Sequence, residues 1–538
     1  PRARAATEFG EFTVTDGTYR RVGNAEVVGT LRLPVRGTQI RLARFSEDLT
    51  GIATLEGLVE GTPEQPALTG QVTAADGSVL GRTFTQGETA LYYRGPELRL
   101  RHTVLSRPGM TARLVDDGRG FDPRGDLLGL AATVELHGAP LDDALALFEL
   151  KSPWPIAGGT RGTVQVRHTA TGITLAGRVE IPHAVVHIPQ ERDPYPLRLN
   201  LLGLTFAYAD RQMQVQDLTL ERGGTVLHAR GTAGSTAEDA PVVADLAFSG
   251  AGAELADLPQ DLFRIPAPVG GTAEIAGTLR GVLSGEGPEP LLADVAITAP
   301  RVTIAGLPVG QGDVDLQYRF QQQARALVVR RGTLASPAFQ VDAAGRADLT
   351  GERWERVTLA VTDLDLAKAR ALWGAADLPV TLTLPDGLVG RGQLTLAADG
   401  PFARPQLTAT VDLREMALGA TPLPDLRGKV ESAQRDGRFG LRIAELTAVR
   451  HGTEFARVSG TVQPGYRVDL QVTARELTAQ LLEPWLAGWP VDGTAGFTGA
   501  LAGPWNAPAL EGDVQLTRPH AAVQQAAAHL RLDARQLT

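Results

Sequence analysis

Apolar and polar residues alternate with a period of two along most of the chain. In "PQLTATVDL", Leu407, Ala409, Val411 and Leu413 point one way while Thr408, Thr410 and Asp412 point the other. "DVDLQYRF" sets Val314, Leu316, Tyr318 and Phe320 against Asp313, Asp315, Gln317 and Arg319. "GITLAGRVEI" puts Ile173, Leu175, Val179 and Ile181 on one side, and "YRVDLQVTA" does the same with Val468, Leu470 and Val472. This spacing predicts half-buried strands. Such strict alternation suits antiparallel pairing with one wet face. Turn signals such as "AADG", "RDG" and "ERGG" separate the strands at roughly 10–18 residues, a meander-like spacing. Helical spacing is confined to short segments: Leu141/Leu145/Phe148, Leu366/Ala369/Trp373 and Leu477/Leu481/Trp485 each fall on one helix face.

The pattern recurs at about 112 residues, the signature of a repeat architecture. A glycine ends an extended stretch at Gly118, Gly231, Gly345 and Gly460, and an aromatic or Leu closes a short amphipathic segment at Phe148, Leu262, Trp373 and Trp485. A further glycine follows at Gly51, Gly159, Gly271, Gly390 and Gly493. In four of its five copies this last anchor is followed by a turn phrase with paired prolines, as in "GTPEQPALTGQVTA" (61–74), "GPFARPQLTATVDL" (400–413) and "GPWNAPALEGDVQL" (503–516); after Gly159 the proline pair is missing. Prolines after a glycine would turn the chain and start the next strand on a fixed register. The anchors divide the chain into a partial repeat at 1–50, repeats at 51–158, 159–270, 271–389 and 390–492, and a partial repeat at 493–538.

One short helix per repeat cannot cover the apolar face of some six strands. Two sheets packed on each other, a closed solenoid filled by its own side chains, or an open trough covered by a guest would all produce this alternation. Periodicity alone does not choose among them.

Composition narrows the function classes. The 43% hydrophobic fraction is enough for a core, and only 5% of residues are aromatic, so the inward positions are mostly Leu, Val, Ile and Ala. A net charge of −9 gives no electrostatic footprint for nucleic acid. Cysteine is absent, which excludes disulfides, thiolate catalysis and Cys-based zinc sites and fits an oxidising compartment. No run of 18 apolar residues would span a bilayer as a helix. The chain starts and stops in mid-pattern, as expected for a piece of something longer.

Candidate chemistry is sparse. His183 and His187 in "IPHAVVHIP" have the spacing of a helical zinc pair, but their β-branched and proline neighbours predict a strand, where four residues span about 13 Å. Asp116/Asp117 fall in a turn and Asp142/Asp143 at a helix start, where Asp favours the dipole. Trp373, Trp485 and Trp489 are expected to cap a sheet edge. No phosphate-cradling loop, nucleophile elbow or metalloprotease helix motif occurs. No enzyme, metal or cofactor is expected.

The recurring "G-x-L-x-G-(x)-P-x-x-P-x-L" phrases, with their glycine-punctuated strands and intervening short helix, resemble the AsmA-like envelope proteins, nearest to the TamB type (translocation and assembly module). The resemblance covers nearly the whole chain and is one of repeat grammar, without an invariant catalytic string. It implies an elongated antiparallel sheet curled into a β-taco-like trough with a hydrophobic interior. It also implies a place in the periplasm, as part of a protein anchored in the inner membrane by a segment absent here. The implied job is to carry phospholipid acyl chains between inner and outer membranes, over a groove lined by Ile173, Leu175, Val179, Ile181, Val314, Leu316, Tyr318, Phe320, Leu407, Val411, Leu413, Val468, Leu470 and Val472. The alternative is a scaffold that guides outer-membrane proteins onto a barrel partner of the TamA/BamA type. An adhesin or solenoid with a self-filled core is the third reading.

Overall fold

The computed structural model describes residues 3–21, 29–44, 49–79, 82–95, 97–115, 118–121, 131–142, 154–169, 172–188, 194–237, 240–258, 268–283, 289–321, 324–373, 387–435, 438–450, 452–463, 467–478, 493–504, 508–520 and 523–532. The protein is all-β, and its described strand pairs run antiparallel. The chain divides into two compact units, Pro1–Phe263 with Ala276–Leu292, and Arg264–Ile275 with Ala293–Thr538. In each unit long strands pair mainly with their sequence neighbours, and no described pairing closes either run into a barrel.

In the first unit the succession runs from Gly29–Arg41 through Leu49–Thr62, Gln65–Val79, Arg82–Arg94, Glu97–Arg107 and Met110–Leu114. It continues through Ala131–Pro140, Gly159–Thr169, Gly172–Pro182, Leu201–Ala209, Gln212–Arg222 and Thr225–Gly234 to Val243–Glu254. A separate three-stranded sheet, Ile156–Ala157, Val185–Ile188 and Tyr195–Arg198, forms a local second layer. Its Ile156, Val186 and Leu197 pack with Ile181, Leu202 and Leu220 of the long strands. The second unit runs from Leu307–Gln321 through Ala324–Ala335, Gln340–Asp348, Arg353–Asp365, Leu388–Pro401 and Gln406–Leu418. Asp425–Arg435, Arg438–Arg450, Thr453–Gln463, Arg467–Thr478, Thr494–Pro504, Ala509–His520 and Val523–Leu532 follow.

Two of the repeated proline phrases are hairpin turns in the described residues. Thr62 pairs with Gln65 across Pro63 and Glu64, and Asp399 pairs with Gln406 across the turn that carries Phe402 and Arg404. The glycines Gly231, Gly345 and Gly460 occupy equivalent places in three β-bulges. Each faces Val215, Val329 or Ile443, after which the partner strand carries one extra residue before pairing resumes at Leu218, Gly332 or Leu446. The extra residue switches the alternation, so the apolar set runs Met213, Val215, Leu218, Leu220 and, in the next repeats, Leu327, Val329, Gly332, Leu334 and Leu441, Ile443, Leu446, Ala448. A bulge of this kind bends its strand and raises the local twist.

Among the described residues one of the expected helices is present in full. Leu366–Trp373 is the α-helix expected there. Its Leu366 and Ala369 are buried against Ala338 and Leu364, with Leu372, Leu388 and Leu413 beside them. Asp365 starts it by accepting the Lys368 N–H at 3.1 Å, an N-cap bond. Leu477, expected on a helix face, instead lies in a strand and pairs with Ala495. The segment before Leu262 opens as a 3-10 turn, Leu255–Asp257, and Leu141 and Asp142 begin a helical turn. Leu145, Phe148, Leu262, Leu481, Trp485 and Trp489 fall outside the described residues, as do Asp116, Asp117 and Asp143.

Candidate functional site

Residues paired directly across an antiparallel ladder share a face of the sheet, so register alone traces what each face presents. In the second unit one file runs Val314, Gly332, Ala343, Leu359, Leu396, Ala409, Val430, Ile443, Gly460, Leu470, Leu501 and Leu510. A parallel file runs Gly312, Leu334, Val341, Val361, Leu394, Val411, Gly428, Leu446, Val458, Val472, Gly499 and Gly512. Every member of both is apolar or glycine. The opposite face carries Asp412, Arg427, Thr447, Arg457, Thr473, Thr498, Asp513 and His529 in one file.

The first unit repeats the arrangement. Ile40, Ala53, Ala74, Gly87, Leu105, Ala112, Leu136, Gly162, Val179, Leu204, Leu218, Ala229 and Phe248 form one apolar file. Here Leu136, Val164, Val166, Leu175, Val179 and Phe206 are buried together, with Ile173 against them.

The glycines on this face let large side chains lean over the backbone. A Cβ on Gly499 would meet the Phe497 ring at 2.5 Å, one on Gly428 would meet Leu446 Cδ1 at 2.8 Å, and one on Gly392 would meet Leu413 Cδ2 at 2.6 Å. Neighbouring side chains thus partly shield a face over which, in the second unit, the helix Leu366–Trp373 is the described element that packs. The two long files of that unit are half-buried or buried throughout, and none of their members is exposed. Their surface is aliphatic and shallow.

The fourteen residues singled out by alternation all lie on these apolar faces. Val314 and Leu470 share one file, Val411 and Val472 the other. Leu316 pairs with Val329, Tyr318 with Leu327, Leu407 with Ala398, and Val468 with Val462. Phe320, Val468 and Leu470 are buried, whereas Val314, Leu316, Tyr318, Leu407, Val411 and Val472 are half-buried. Two residues carry local cover: Leu413 packs beside the helix, and Ile181 lies beneath the three-stranded sheet. His187 is in the strand Val185–Ile188, whereas His183 sits just before it with left-handed backbone, φ 52°.

Charge on the polar face is organised locally. Asp412 receives Arg414 Nη2 at 2.6 Å and has Arg427 Nε at 3.4 Å, and the Arg414 hydrogen bond foremost holds its carboxyl below the usual range. His529 is raised above its ordinary value, chiefly by its 2.9 Å bond to Asp513. Both are solvent-facing ladder pairs that define the wet side. One polar residue of the apolar side, Arg325, escaped the alternation reading because it stands at the start of its strand, where a charge reads as a turn residue.

No protein-family model, curated protein or solved structure matches the chain.

Proposed function

We propose that the chain is a non-enzymatic segment of a bridge-like lipid-transfer protein, in which each unit's apolar face lines a trough that carries phospholipid acyl chains. The unbroken apolar files across a dozen successive strands support this reading above all. A diacyl lipid crossing water exposes on the order of 30 methylenes at about 0.8 kcal/mol each, a barrier beyond roughly 20 kcal/mol. A continuous aliphatic surface removes most of that barrier, and because its files offer the same chemistry at every strand, it holds the chains without trapping them at one position. The repeat grammar shared with AsmA-like and TamB-type proteins supplies the rest of the proposal: a periplasmic position, attachment to the inner membrane, and delivery towards the outer membrane beside a barrel protein of the TamA/BamA type.

The test is extraction of the purified chain followed by mass spectrometry of bound lipid. The unaltered chain is expected to bring down phospholipid, and Leu316→Asp and Val411→Arg, at half-buried positions of the face, to lose it while their circular dichroism stays that of a β protein. A folded chain that binds no lipid, or variants that bind as much as the parent, would overturn the reading.

A further inference from the structure

Among the described residues on the second unit's apolar face, one side chain is charged: Arg325. It is directly opposite Phe320 in the ladder, and its guanidinium carbon lies 5.4 Å from the centre of that ring. Its backbone N–H donates to Thr350 Oγ1 at 2.9 Å, which fixes the strand end that carries it. No described carboxylate forms an ion pair with it. The next pair inward is Tyr318 with Leu327, and the same file continues through Ala347 to Trp354. The Trp354 ring packs against Phe402, in the hairpin turn at the same edge, with centroids 4.6 Å apart and planes tilted by 49°. Aromatics make up only 5% of the chain, so Phe320 and Tyr318 near the cation and the Trp354–Phe402 pair two strands further along mark this edge off from the aliphatic files.

The chemistry of the corner is that of a boundary. Aromatic rings with polar tips settle where an apolar region meets a wet one. Guanidinium matches phosphate oxygens through paired N–H donors, which a point charge does not. An unpaired arginine beside an aliphatic surface therefore fits a ligand made of an anion joined to hydrocarbon chains.

We infer that Arg325 binds the phosphate of a phospholipid whose acyl chains lie along the adjoining apolar files, with Tyr318, Phe320 and Trp354 against its glycerol region. This rests on the lipid-carrying reading above and adds to it a headgroup station at one edge.

The experiment delivers acyl-labelled phosphatidic acid or acyl-labelled diacylglycerol from cyclodextrin to the full chain and measures bound label. Arg325→Ala is expected to weaken phosphatidic acid binding about tenfold and to leave diacylglycerol binding unchanged, since the lost bonds are charge-assisted ones to the phosphate. Arg325→Lys is expected to recover part of the loss. If Arg325→Ala does not fold, Arg325→Gln carries the same comparison. Equal binding of phosphatidic acid by variant and parent overturns the headgroup station while the lipid reading stands. A parent chain that binds neither lipid overturns both. If millimolar inorganic phosphate strips phosphatidic acid from the parent, the site takes a free anion and the inference fails.

Discussion

Gly460 stands directly opposite Leu470, and a Cβ on it would lie 2.2 Å from the Asp469 carbonyl oxygen and 2.8 Å from Leu470 Cα. Its φ is 140°, a conformation L side chains rarely adopt. Backbone meets backbone there, so no side-chain movement relieves the clash. Gly460→Ala is expected to destabilise the second unit by at least about 1–3 kcal/mol, the usual cost of a residue forced into a sparsely populated conformation. The control is Gly419→Ala, where φ is 59° with no neighbour within 4 Å, expected to cost about 1–2 kcal/mol. Urea unfolding midpoints of the two variants make the comparison.

Leu470 and Thr498 lie on opposite faces of adjacent strands. Leu470 is 5% exposed and Thr498 is exposed. Leu470→Ala is expected to cost about 2–4 kcal/mol, from lost burial plus the cavity left behind. Thr498→Ala should stay within about 0.5 kcal/mol. Equal unfolding midpoints for the two would contradict the assignment of faces.

Thr160 is fully buried, and its hydroxyl has no hydrogen-bond partner among the described residues. It pairs with Ala139, in a region where the neighbouring buried side chains are apolar. Replacing the hydroxyl by a methyl of similar volume removes an unmet desolvation cost. Thr160→Val is therefore expected to raise thermal stability, by up to about 1–3 kcal/mol if the hydroxyl gains nothing in the native chain. A loss of stability would show that the hydroxyl is bonded.

Asp365 caps the helix Leu366–Trp373. The Lys368 backbone N–H foremost, and the Lys368 ammonium 3.5 Å away, hold its carboxyl below the usual aspartate range against a partial opposing effect of burial. A folded-state value below the unfolded one means the contribution is complete above the ordinary Asp value of about 3.9 and is lost as pH falls through the lowered value. Asp365→Ala is expected to cost about 1 kcal/mol at neutral pH. The gap between variant and parent should close in acid below about pH 4. A gap of constant size down to that range would mean the carboxylate is not the cap.

The strands were legible because alternation is a local property: Leu407, Ala409, Val411 and Leu413 do lie on one face. The bulges were harder to read, because an extra residue breaks the alternation and resembles noise. Only register shows that Leu327, Val329, Gly332 and Leu334 form one apolar set despite the three-residue step in the middle. The helix at Leu366 was readable from its spacing; at the start of the Leu477 segment the strand continues, with Leu477 paired to Ala495, while Leu481 and Trp485 lie outside the described residues. The three-stranded layer over Ile181 left no signal because strands of two to four residues are too short to show a period. What lies over the apolar face was not written in the alternation at all, since sandwich, solenoid and trough impose the same one.

The bulge that recurs opposite Gly231, Gly345 and Gly460 constrains how such a chain can change in length. Losing or gaining a single residue within a strand would turn its oily side outward unless a bulge absorbed it, and losing one strand would reverse the direction of every strand after it. Removing the stretch between two equivalent bulges does neither, because the break rejoins like to like. Growth or shrinkage by a whole module therefore keeps both the oily side and the strand direction.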